Sequence, residues 1–446
     1  MYIKKFFLFI FFLPYFIQGQ ALYFPPLSGG TWDTLSISSL GWCQDKMDSL
    51  IAFLGRENSK AFIVLKNGKI VVEKYYGTFT KDSLWYWASA GKTLTALTVG
   101  IAQKEGYLSI YDSTSKYLGI GWTSCSPAKE RLITIKHQLS MTTGLDDNVP
   151  NPDCTLNTCL QYHSDAGTRW AYHNAPYTLL DQVIQSATGI TLNAYITTRI
   201  KNKIGMDGFF YPIGYNNVYF SKARSMARFG LLLLNKGYWN TTPVLSDTAY
   251  FNEMTNSSQT LNLSYGYLTW LNGKPSFMVP GLPFVFAGKI IPNAPDNAYF
   301  ALGKNGQIIA VYPSQKIVFV RMGNSGSSAA VELALTDSIC KRLGQVMCAS
   351  TYQHTTWVQK ENDFKIYPNP VYSDESISIS IPDLQNFTSL HLSICDLNGK
   401  VLWSGLFAGS DLMQGEIKCP ALFSTGVYFV RIQSTHFSQT CKLIVM

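Results

Sequence analysis

The spacing of apolar residues predicts a helix, a hairpin and a buried helix near the start of the chain. Residues 41–56 repeat apolar side chains at helical intervals. Residues 61–74 form two β-rich runs joined by Asn67-Gly68, a dipeptide that strongly favours a two-residue hairpin turn. Residues 85–105 change from an aromatic, strand-like start to a run of small and apolar residues. We expect that run to be a helix with little polar surface.

The same periodicities organise the rest of the first 350 residues. Further helices are predicted over residues 132–141, 177–187, 191–203, 221–235 and 327–343, and strands over 297–302, 307–312 and 316–321. The early hairpin and the late strands would meet in one antiparallel sheet, with helices covering it and a helical insert between. The predicted fold class is therefore α+β.

The pattern changes near residue 350, which predicts a second domain. Residues 350–366 are polar and aperiodic, as in a linker, and residues 367–446 contain short alternating strands typical of a small β-sandwich. Residues 21–349 would form the first domain. Residues 1–20 have a positive start, an apolar run too short to span a bilayer and small residues at the end, so we expect a signal peptide and an exported protein.

Charge and cysteine content narrow the possible functions. The net charge of +8 over 446 residues is spread along the chain without a basic block, which argues against nucleic-acid binding. The sequence has no zinc-type cysteine spacing, so no metal or other cofactor is predicted. Export makes disulfides possible. Cys154 and Cys159 are expected to pair across a short loop, and Cys340 and Cys348 across the end of the last helix of the first domain. Cys43 has no obvious partner.

Candidate chemistry centres on Ser89 and Lys92. Residues three apart share one face of a helix, so the alcohol and the amine would lie together. Lysine can act as the base for a serine nucleophile when burial and nearby positive charge lower its pKa. The same spacing begins at Ser113, Ser126 and Ser338, but these lie in polar segments or within an amphipathic helix. Only Ser89 opens an apolar helix behind an aromatic segment.

Three segments taken in order resemble the serine β-lactamase-like hydrolases. They are Ser89-Ala90-Gly91-Lys92, Tyr172-His173-Asn174 and Lys304-Asn305-Gly306. This group includes D-Ala-D-Ala peptidases, esterases and aminohexanoate-oligomer hydrolases, and the resemblance covers about residues 40–345. It implies a helix-flanked antiparallel sheet and acyl transfer through a covalent intermediate.

The resemblance also implies a role for each matching residue. Ser89 would be the nucleophile, Lys92 the general base, and Tyr172 the group that passes a proton to the leaving group, with its pKa lowered by nearby lysines. The oxyanion hole would consist of the N–H groups of Ser89 and Gln307. Asn174 and the segment Lys304-Asn305-Gly306 would bind substrate.

One departure from the family pattern bears on the substrate. The third segment has Asn305 where a small hydroxyl residue is usual, and the order Ala301-x-Gly303-x-x-Gly306-Gln307 looks like the esterase and aminohexanoate-hydrolase branch. This favours a small-molecule ester or amide, or a D-amino-acid peptide, over a β-lactam. The alternative is a non-catalytic pseudo-hydrolase that binds peptidoglycan or peptides.

The C-terminal segment resembles the sorting domain of proteins exported by type IX secretion. The residues that carry the likeness are Tyr367-Pro368-Asn369-Pro370, Asp396-Leu397-Asn398-Gly399-Lys400-Val401, Gly426-Val427-Tyr428-Phe429-Val430 and Lys442-Leu443-Ile444-Val445-Met446. The resemblance implies a secretion machinery as partner and a secreted or outer-membrane surface location. A carbohydrate-binding β-module is the alternative.

Overall fold

A computed structural model describes two compact units of this chain, divided between Ser350 and Thr351. The described residues are 21–348, 365–373, 375–380, 389–396, 400–408, 416–420, 424–433 and 438–446. The predicted signal peptide, most of the predicted linker and residues 397–399 of the sorting-domain motif lie outside them.

The first unit contains the predicted elements in the predicted order, together with short helices and strands that were not predicted, in residues 115–130 and 209–287. Its helices are α1 (Gln44–Arg56), α2 (Gly91–Lys104), α3 (Ser115–Leu118), α4 (Pro127–Glu130), α5 (Ile135–Leu139), α6 (Asn174–Thr178), α7 (Leu180–Thr188), α8 (Leu192–Ile196), α9 (Asn202–Ile204), α10 (Ala223–Leu234), α11 (Thr248–Met254) and α12 (Leu333–Val346). Its strands are β1 (Ser59–Lys66), β2 (Lys69–Tyr75), β3 (Trp85–Tyr86), β4 (Phe209–Ile213), β5 (Asn216–Ser221), β6 (Tyr238–Trp239), β7 (Thr242–Pro243), β8 (Trp270–Leu271), β9 (Ser276–Phe277), β10 (Phe286–Ala287), β11 (Tyr299–Gly303), β12 (Gln307–Tyr312) and β13 (Ile317–Gly323).

The early hairpin and the late strands form one antiparallel sheet, as predicted. Its strand order is β2-β1-β13-β12-β11-β8. Asn67 and Gly68 both have positive φ values, 51° and 83°, and this left-handed pair matches the twist of the two strands. The α+β fold class is confirmed.

Helices cover both faces of this sheet. On one face, a Cβ on Gly230 of α10 would lie 2.5 Å from Val318 Cγ1 of β13. On the other, the Tyr312 hydroxyl donates a hydrogen bond to Cys340 of α12. Tyr312 pairs with Ile317, the neighbour of Val318, and successive side chains on a strand point to opposite faces. All residues of β13 are consequently buried.

Helix α2 lies inside the first unit. Its residues from Gly91 to Ala102 are all buried, as expected for a helix with apolar and small residues on every side. The Tyr250 hydroxyl of α11 donates to Ala96 O, and Thr93 of α2 donates to Leu268 O. These contacts hold the helix that follows Ser89 in one position.

The second unit is an all-β sandwich, as predicted. Its strands are β14 (Lys365–Tyr367), β15 (Ser376–Ser380), β16 (Ser389–Cys395), β17 (Val401–Ala408), β18 (Glu416–Pro420), β19 (Gly426–Gln433) and β20 (Ser438–Val445). They form two sheets, β14-β15-β18 and β17-β16-β19-β20. Ile377 and Ile379 of the first sheet share a core with Leu392 and Val430 of the second.

One of the two predicted disulfides is confirmed and the other is wrong. Cys154 pairs with Cys159, as predicted. Cys348 pairs with Cys43, and Cys340 is a buried free thiol within α12. The prediction failed because Cys43 precedes α1 and Cys348 follows α12, two helices that pack together although 305 residues separate the cysteines.

Candidate active site

The chain reaches Ser89 through a short strand and a tight turn. Strand β3 pairs with β5, and a 3₁₀ turn then leads into α2 at Gly91. Ala88 adopts a φ of 46°, a left-handed value uncommon for residues other than glycine. Ser89 remains partly exposed although the following helix is buried. The turn therefore presents the Ser89 hydroxyl at the mouth of a rigid, buried helix.

Lys92 is the group that can accept the Ser89 proton. Its Nζ lies 2.9 Å from Ser89 Oγ, and the residue is only 3% exposed. Burial disfavours the ammonium form and lowers the pKa of Lys92 to about 7, while the negative charge of Asp153 opposes this shift. We expected a nearby positive charge to contribute to the lowered pKa of Lys92, but no positive charge does so. A substantial fraction of the amine is thus neutral at neutral pH.

Two tyrosine rings enclose the Lys92 amine. Its Nζ lies 4.2 Å from the ring centroid of Tyr177 and 5.2 Å from that of Tyr172. Tyr172 in turn stacks on Trp270 of β8, with ring centroids 5.7 Å apart and planes 23° from parallel. These rings keep water from the amine, which is the physical origin of its lowered pKa.

Tyr172 is neutral, contrary to our expectation of a lowered pKa. Burial raises the pKa of its hydroxyl, and the nearby Ser89 hydroxyl acts in the opposite direction with a smaller effect. The hydroxyl is buried and has no hydrogen-bond partner among the described residues. The prediction was wrong because it counted lysines near the phenol and ignored desolvation. A neutral phenol can donate a proton but is a poor base.

Asn174 lies at the start of α6 and is linked to an acidic residue of the disulfide loop. Its side-chain N–H donates to Asp153 Oδ1 at 2.7 Å, and its own carbonyl oxygen is buried without a partner in the described part of the chain. Asp153 directly precedes Cys154 of the short disulfide. Asn174 therefore positions the Asp153 carboxylate, whose negative charge raises the pKa of Lys92. The adjacent His173 is buried, and burial lowers its pKa to about 4.

The third predicted segment is a turn, and the strand residue before it lies next to Ser89. A Cβ on Gly303, the last residue of β11, would lie 2.9 Å from Ser89 N and 2.6 Å from Trp87 O. Lys304 is exposed in the turn, and Asn305 donates to the Tyr86 hydroxyl at 2.7 Å. The close backbone approach thus involves Gly303, and only glycine fits there.

Gln307 lies in the sheet interior, which argues against the predicted role of its N–H group. It is fully buried in β12, between β11 and β13, and its side chain bonds Gly323 through both amide atoms. By contrast, β8 pairs only with Tyr299 and Phe300 of β11. This leaves the end of β11, at Gly303, as the sheet edge beside Ser89.

A buried arginine supports the turn after β11. Arg321 donates to the carbonyl oxygens of Asn305 and Gly306, to that of Glu57 and to the Ser59 hydroxyl. Such a fully satisfied buried cation fixes the backbone around it. Arg321 was not singled out from the sequence, and nor were Trp270, Tyr177 or Asp153. Tyr177 begins a helix predicted from the sequence, but nothing local shows that its ring contacts Lys92.

Comparison with known proteins agrees with this architecture. The Beta-lactamase family profile matches residues 55–339, and the Secretion system C-terminal sorting domain profile matches residues 365–446. An uncharacterized protein of Alkalihalophilus pseudofirmus is 24% identical over 303 residues, covering 59% of this chain and 83% of the relative.

Solved structures show the same fold. A Bacillus anthracis protein described as a 6-aminohexanoate-dimer hydrolase is 17% identical, covers 71% of this chain and 89% of its own, and has a TM-score of 0.53. A family VIII carboxylesterase is 15% identical, covers 68% of this chain and 97% of its own, and has a TM-score of 0.52. Within the described residues, no helix has the length and apolarity needed to cross a membrane.

Proposed function

This chain belongs to the Beta-lactamase family of hydrolases, and on that premise we propose that it is a serine hydrolase that acts through an acyl-enzyme on Ser89. The observation that carries the proposal is the 2.9 Å hydrogen bond between Ser89 and a buried Lys92 with a pKa of about 7. A lysine that is partly neutral at neutral pH can remove the serine proton, whereas an exposed lysine cannot.

Acylation follows from the protonation states of the three residues. The Ser89 oxygen attacks the substrate carbonyl, and its proton passes to neutral Lys92 as the new C–O bond forms. Tyr172 donates its proton to the departing alcohol or amine, and Lys92 returns a proton to the phenolate. Because burial raises the pKa of Tyr172, we assign it the acid role and Lys92 the base role.

The oxyanion is assigned to backbone N–H groups at two neighbouring elements. Ser89 N–H lies at the mouth of α2, and Gly303 brings the free edge of β11 against it. An N–H at the end of this strand, at Gly303 or Lys304, replaces Gln307 as the second donor. Water then attacks the acyl-enzyme, and Lys92 accepts its proton. As the bond between the acyl carbon and Ser89 Oγ breaks, Lys92 returns this proton to Ser89 Oγ and the carboxylic acid product leaves.

The surroundings of Ser89 favour uncharged esters and small amides, because Tyr172 packs on a buried aromatic cluster. Trp170, Tyr172, Tyr265 and Trp270 form one aromatic cluster with ring centroids 4.8 to 6.3 Å apart. Lys304, expected to hold an anionic part of the substrate, is exposed in the turn. We therefore rank esters first, small amides second and β-lactams last.

Labelling with a fluorescent fluorophosphonate, followed by peptide mapping, tests the proposal. The probe should modify Ser89 in the full chain, and Ser89→Ala should abolish both labelling and p-nitrophenyl butyrate turnover. Ser126→Ala is the matched control, because it changes an exposed serine with the same Ser-x-x-Lys spacing. Label on another residue, or turnover that survives in Ser89→Ala, would refute the mechanism.

The same assay separates the enzyme from the non-catalytic alternative. A panel of p-nitrophenyl esters, D-alanine p-nitroanilide and nitrocefin should show the highest kcat/KM with an ester. Cell-wall binding without turnover of any of these would favour a pseudo-hydrolase.

The C-terminal unit is a sorting domain for secretion, so the hydrolase is exported and either released or attached at the cell surface. We propose type IX secretion as the route. The substrate would then be an extracellular or surface ester.

A further inference from the structure

A cavity lies in the first unit whose lining does not include Ser89, Lys92 or Tyr172. It has a volume of about 510 Å³, within the roughly 300–1,000 Å³ typical of small-molecule sites. Helix α7 supplies one wall, and the hairpin of β4 and β5 supplies another. Thr155 of the disulfide loop and Thr178 of α6 close one end. We call this cavity the α7 groove.

The lining of the α7 groove consists mainly of neutral hydrogen-bonding side chains. Gln182, Gln185 and Asn216 contribute amides that make no hydrogen bond within the described protein, and Tyr215 adds an aromatic ring that is 39% exposed. Amides both donate and accept, so they suit a ligand that presents many hydroxyl groups.

Among the described residues that line the groove, Asp181 is the only charged one. Its Oδ2 accepts a hydrogen bond of 2.7 Å from Asn217, while its Oδ1 is buried and has no partner in the described chain. A buried acceptor without a partner is costly, and Asp181 is one of the residues that line the groove. Burial raises the pKa of Asp181 to about 7, so near neutral pH the group can either accept or donate.

The lining chemistry excludes two other ligand classes. The described lining contains no lysine or arginine, so a phosphate or carboxylate would meet only the negative charge of Asp181 among these residues. An acyl chain would bury the amides of Gln182 and Gln185 against apolar surface without hydrogen bonds, which is unfavourable.

We propose that the α7 groove binds a neutral sugar, with its hydroxyl groups on Asp181, Asn217 and the α7 amides and one ring face against Tyr215. Ser89, Lys92 and Tyr172 are not among the residues that line the groove, so this inference does not depend on the proposed catalytic function. Such a site would hold the secreted protein on a glycan while the hydrolase unit acts.

Calorimetric titration of the purified full chain tests this site. The probes are cellotetraose, maltotetraose and triacetylchitotriose as neutral sugars, with cadaverine and inorganic phosphate as charged comparisons. At least one sugar should bind, and Gln182→Ala/Gln185→Ala should weaken that binding tenfold or more. These glutamines are exposed on α7, so the double variant should fold normally. Asp181→Asn should also weaken binding.

Matched controls keep the two proposals distinguishable. Ser186→Ala changes an exposed residue of the same helix that does not line the groove, and it should bind sugar normally. Ser89→Ala should lose turnover and retain sugar binding. No binding of any of the three sugars at about 10 mM, binding of cadaverine or phosphate alone, or unchanged affinity in the double glutamine variant would overturn the proposal.

Discussion

At the scale of single residues, the protonation states of Lys92 and Tyr172 decide what the site can do. Both are buried against aromatic rings, yet burial shifts their pKa values in opposite directions because it always disfavours the charged form. The amine becomes a usable base, and the phenol remains an acid.

The pH dependence of turnover should follow Lys92. In the proposed mechanism the neutral amine is the active form, so kcat/KM is expected to rise about tenfold per pH unit below pH 7 and to level off above it. Lys92→Arg should abolish turnover, because arginine stays charged. Steady-state kinetics from pH 5 to about 9 measures this.

The effect of Lys92 on the pH profile must be distinguished from the effects of two other titrating groups, His173 and Asp181. The pKa of His173 is about 4, too low to account for an inflection near 7. Asp181 titrates near 7 as well, so the profile should be repeated in Asp181→Asn. An inflection that disappears in this variant would contradict the assignment to Lys92.

Tyr172→Phe tests the acid role. It removes only the hydroxyl and retains the ring that stacks on Trp270 and covers Lys92. We expect kcat to fall by about 10²–10⁴, with a larger loss for poor leaving groups, which need protonation most. A series of aryl esters of increasing leaving-group pKa measures this. Equal losses across the series would mean that Tyr172 has a structural role.

At the scale of elements, the site depends on the distance between β11 and the turn that carries Ser89. Gly303 allows two backbones to approach more closely than any side chain would permit. Arg321 holds the adjoining turn through several carbonyl groups. The position of the end of β11 relative to Ser89 is thus fixed by contacts between residues that are far apart in the sequence.

Gly303→Ala should impair catalysis by moving these elements apart. The new methyl group would lie 2.6 Å from Trp87 O and 2.9 Å from Ser89 N, and neither backbone atom can move freely. We expect kcat/KM to fall about 10²-fold or more with the fold retained. Gly344→Ala is the control, because its methyl group meets nothing within 4 Å and an exposed helix position gains up to about 1 kcal/mol from alanine. Wild-type activity in Gly303→Ala would contradict this account.

At the scale of the whole molecule, the hydrolase unit and the sorting unit each have their own hydrophobic core. The core of the first unit and that of the C-terminal sandwich share no residue. The Cys43–Cys348 disulfide closes nearly the entire first unit, so it constrains the unfolded chain far more than the five-residue separation of Cys154 and Cys159 does.

The two disulfides should therefore differ in their effects. In the chain-entropy account, loss of Cys43–Cys348 lowers the free energy of unfolding by about 5 kcal/mol and loss of Cys154–Cys159 by about 2 kcal/mol. Urea unfolding of Cys43→Ala/Cys348→Ala and Cys154→Ala/Cys159→Ala measures both. The second pair should also alter kcat/KM, because Asp153 adjoins Cys154. A reversed order of stability would reject the loop-length explanation.

Removal of residues 365–446 should separate secretion from hydrolysis. The first unit retains its whole core and both disulfides, so its kcat/KM should stay within about twofold of that of the full chain. In the native host, the truncated protein should remain in the periplasm. Cell fractionation with ester turnover measures both effects. Secretion that continues after truncation would contradict the role of the sorting domain.

Local pattern was enough to predict much of the fold. The Asn67-Gly68 hairpin, the three late strands and the buried helix after Ser89 each show a periodicity or turn signal within a short window. Most of the sandwich strands show the same kind of pattern, but β14 and β18 were not predicted. These features depend on neighbouring residues, so a single sequence contains them.

The candidate site was only partly predictable. The Ser89–Lys92 spacing places both groups on one helix face, and the helix geometry alone brings them together. The predicted third segment begins one residue after the backbone contact with Ser89, since nothing local shows that Gly303, and not Gly306, makes this contact. Asp153 and Trp270 gave no local signal of any kind.

The sequence by itself determined the order of elements, the pairing of the hairpin and the proximity of a serine to a lysine, because all three depend on short-range geometry. Only the tertiary structure decided the pKa of Lys92, the neutral state of Tyr172 and the partner of Cys43. These properties arise from burial and from contacts between residues far apart in the chain, and no local pattern encodes how deeply a group is removed from water.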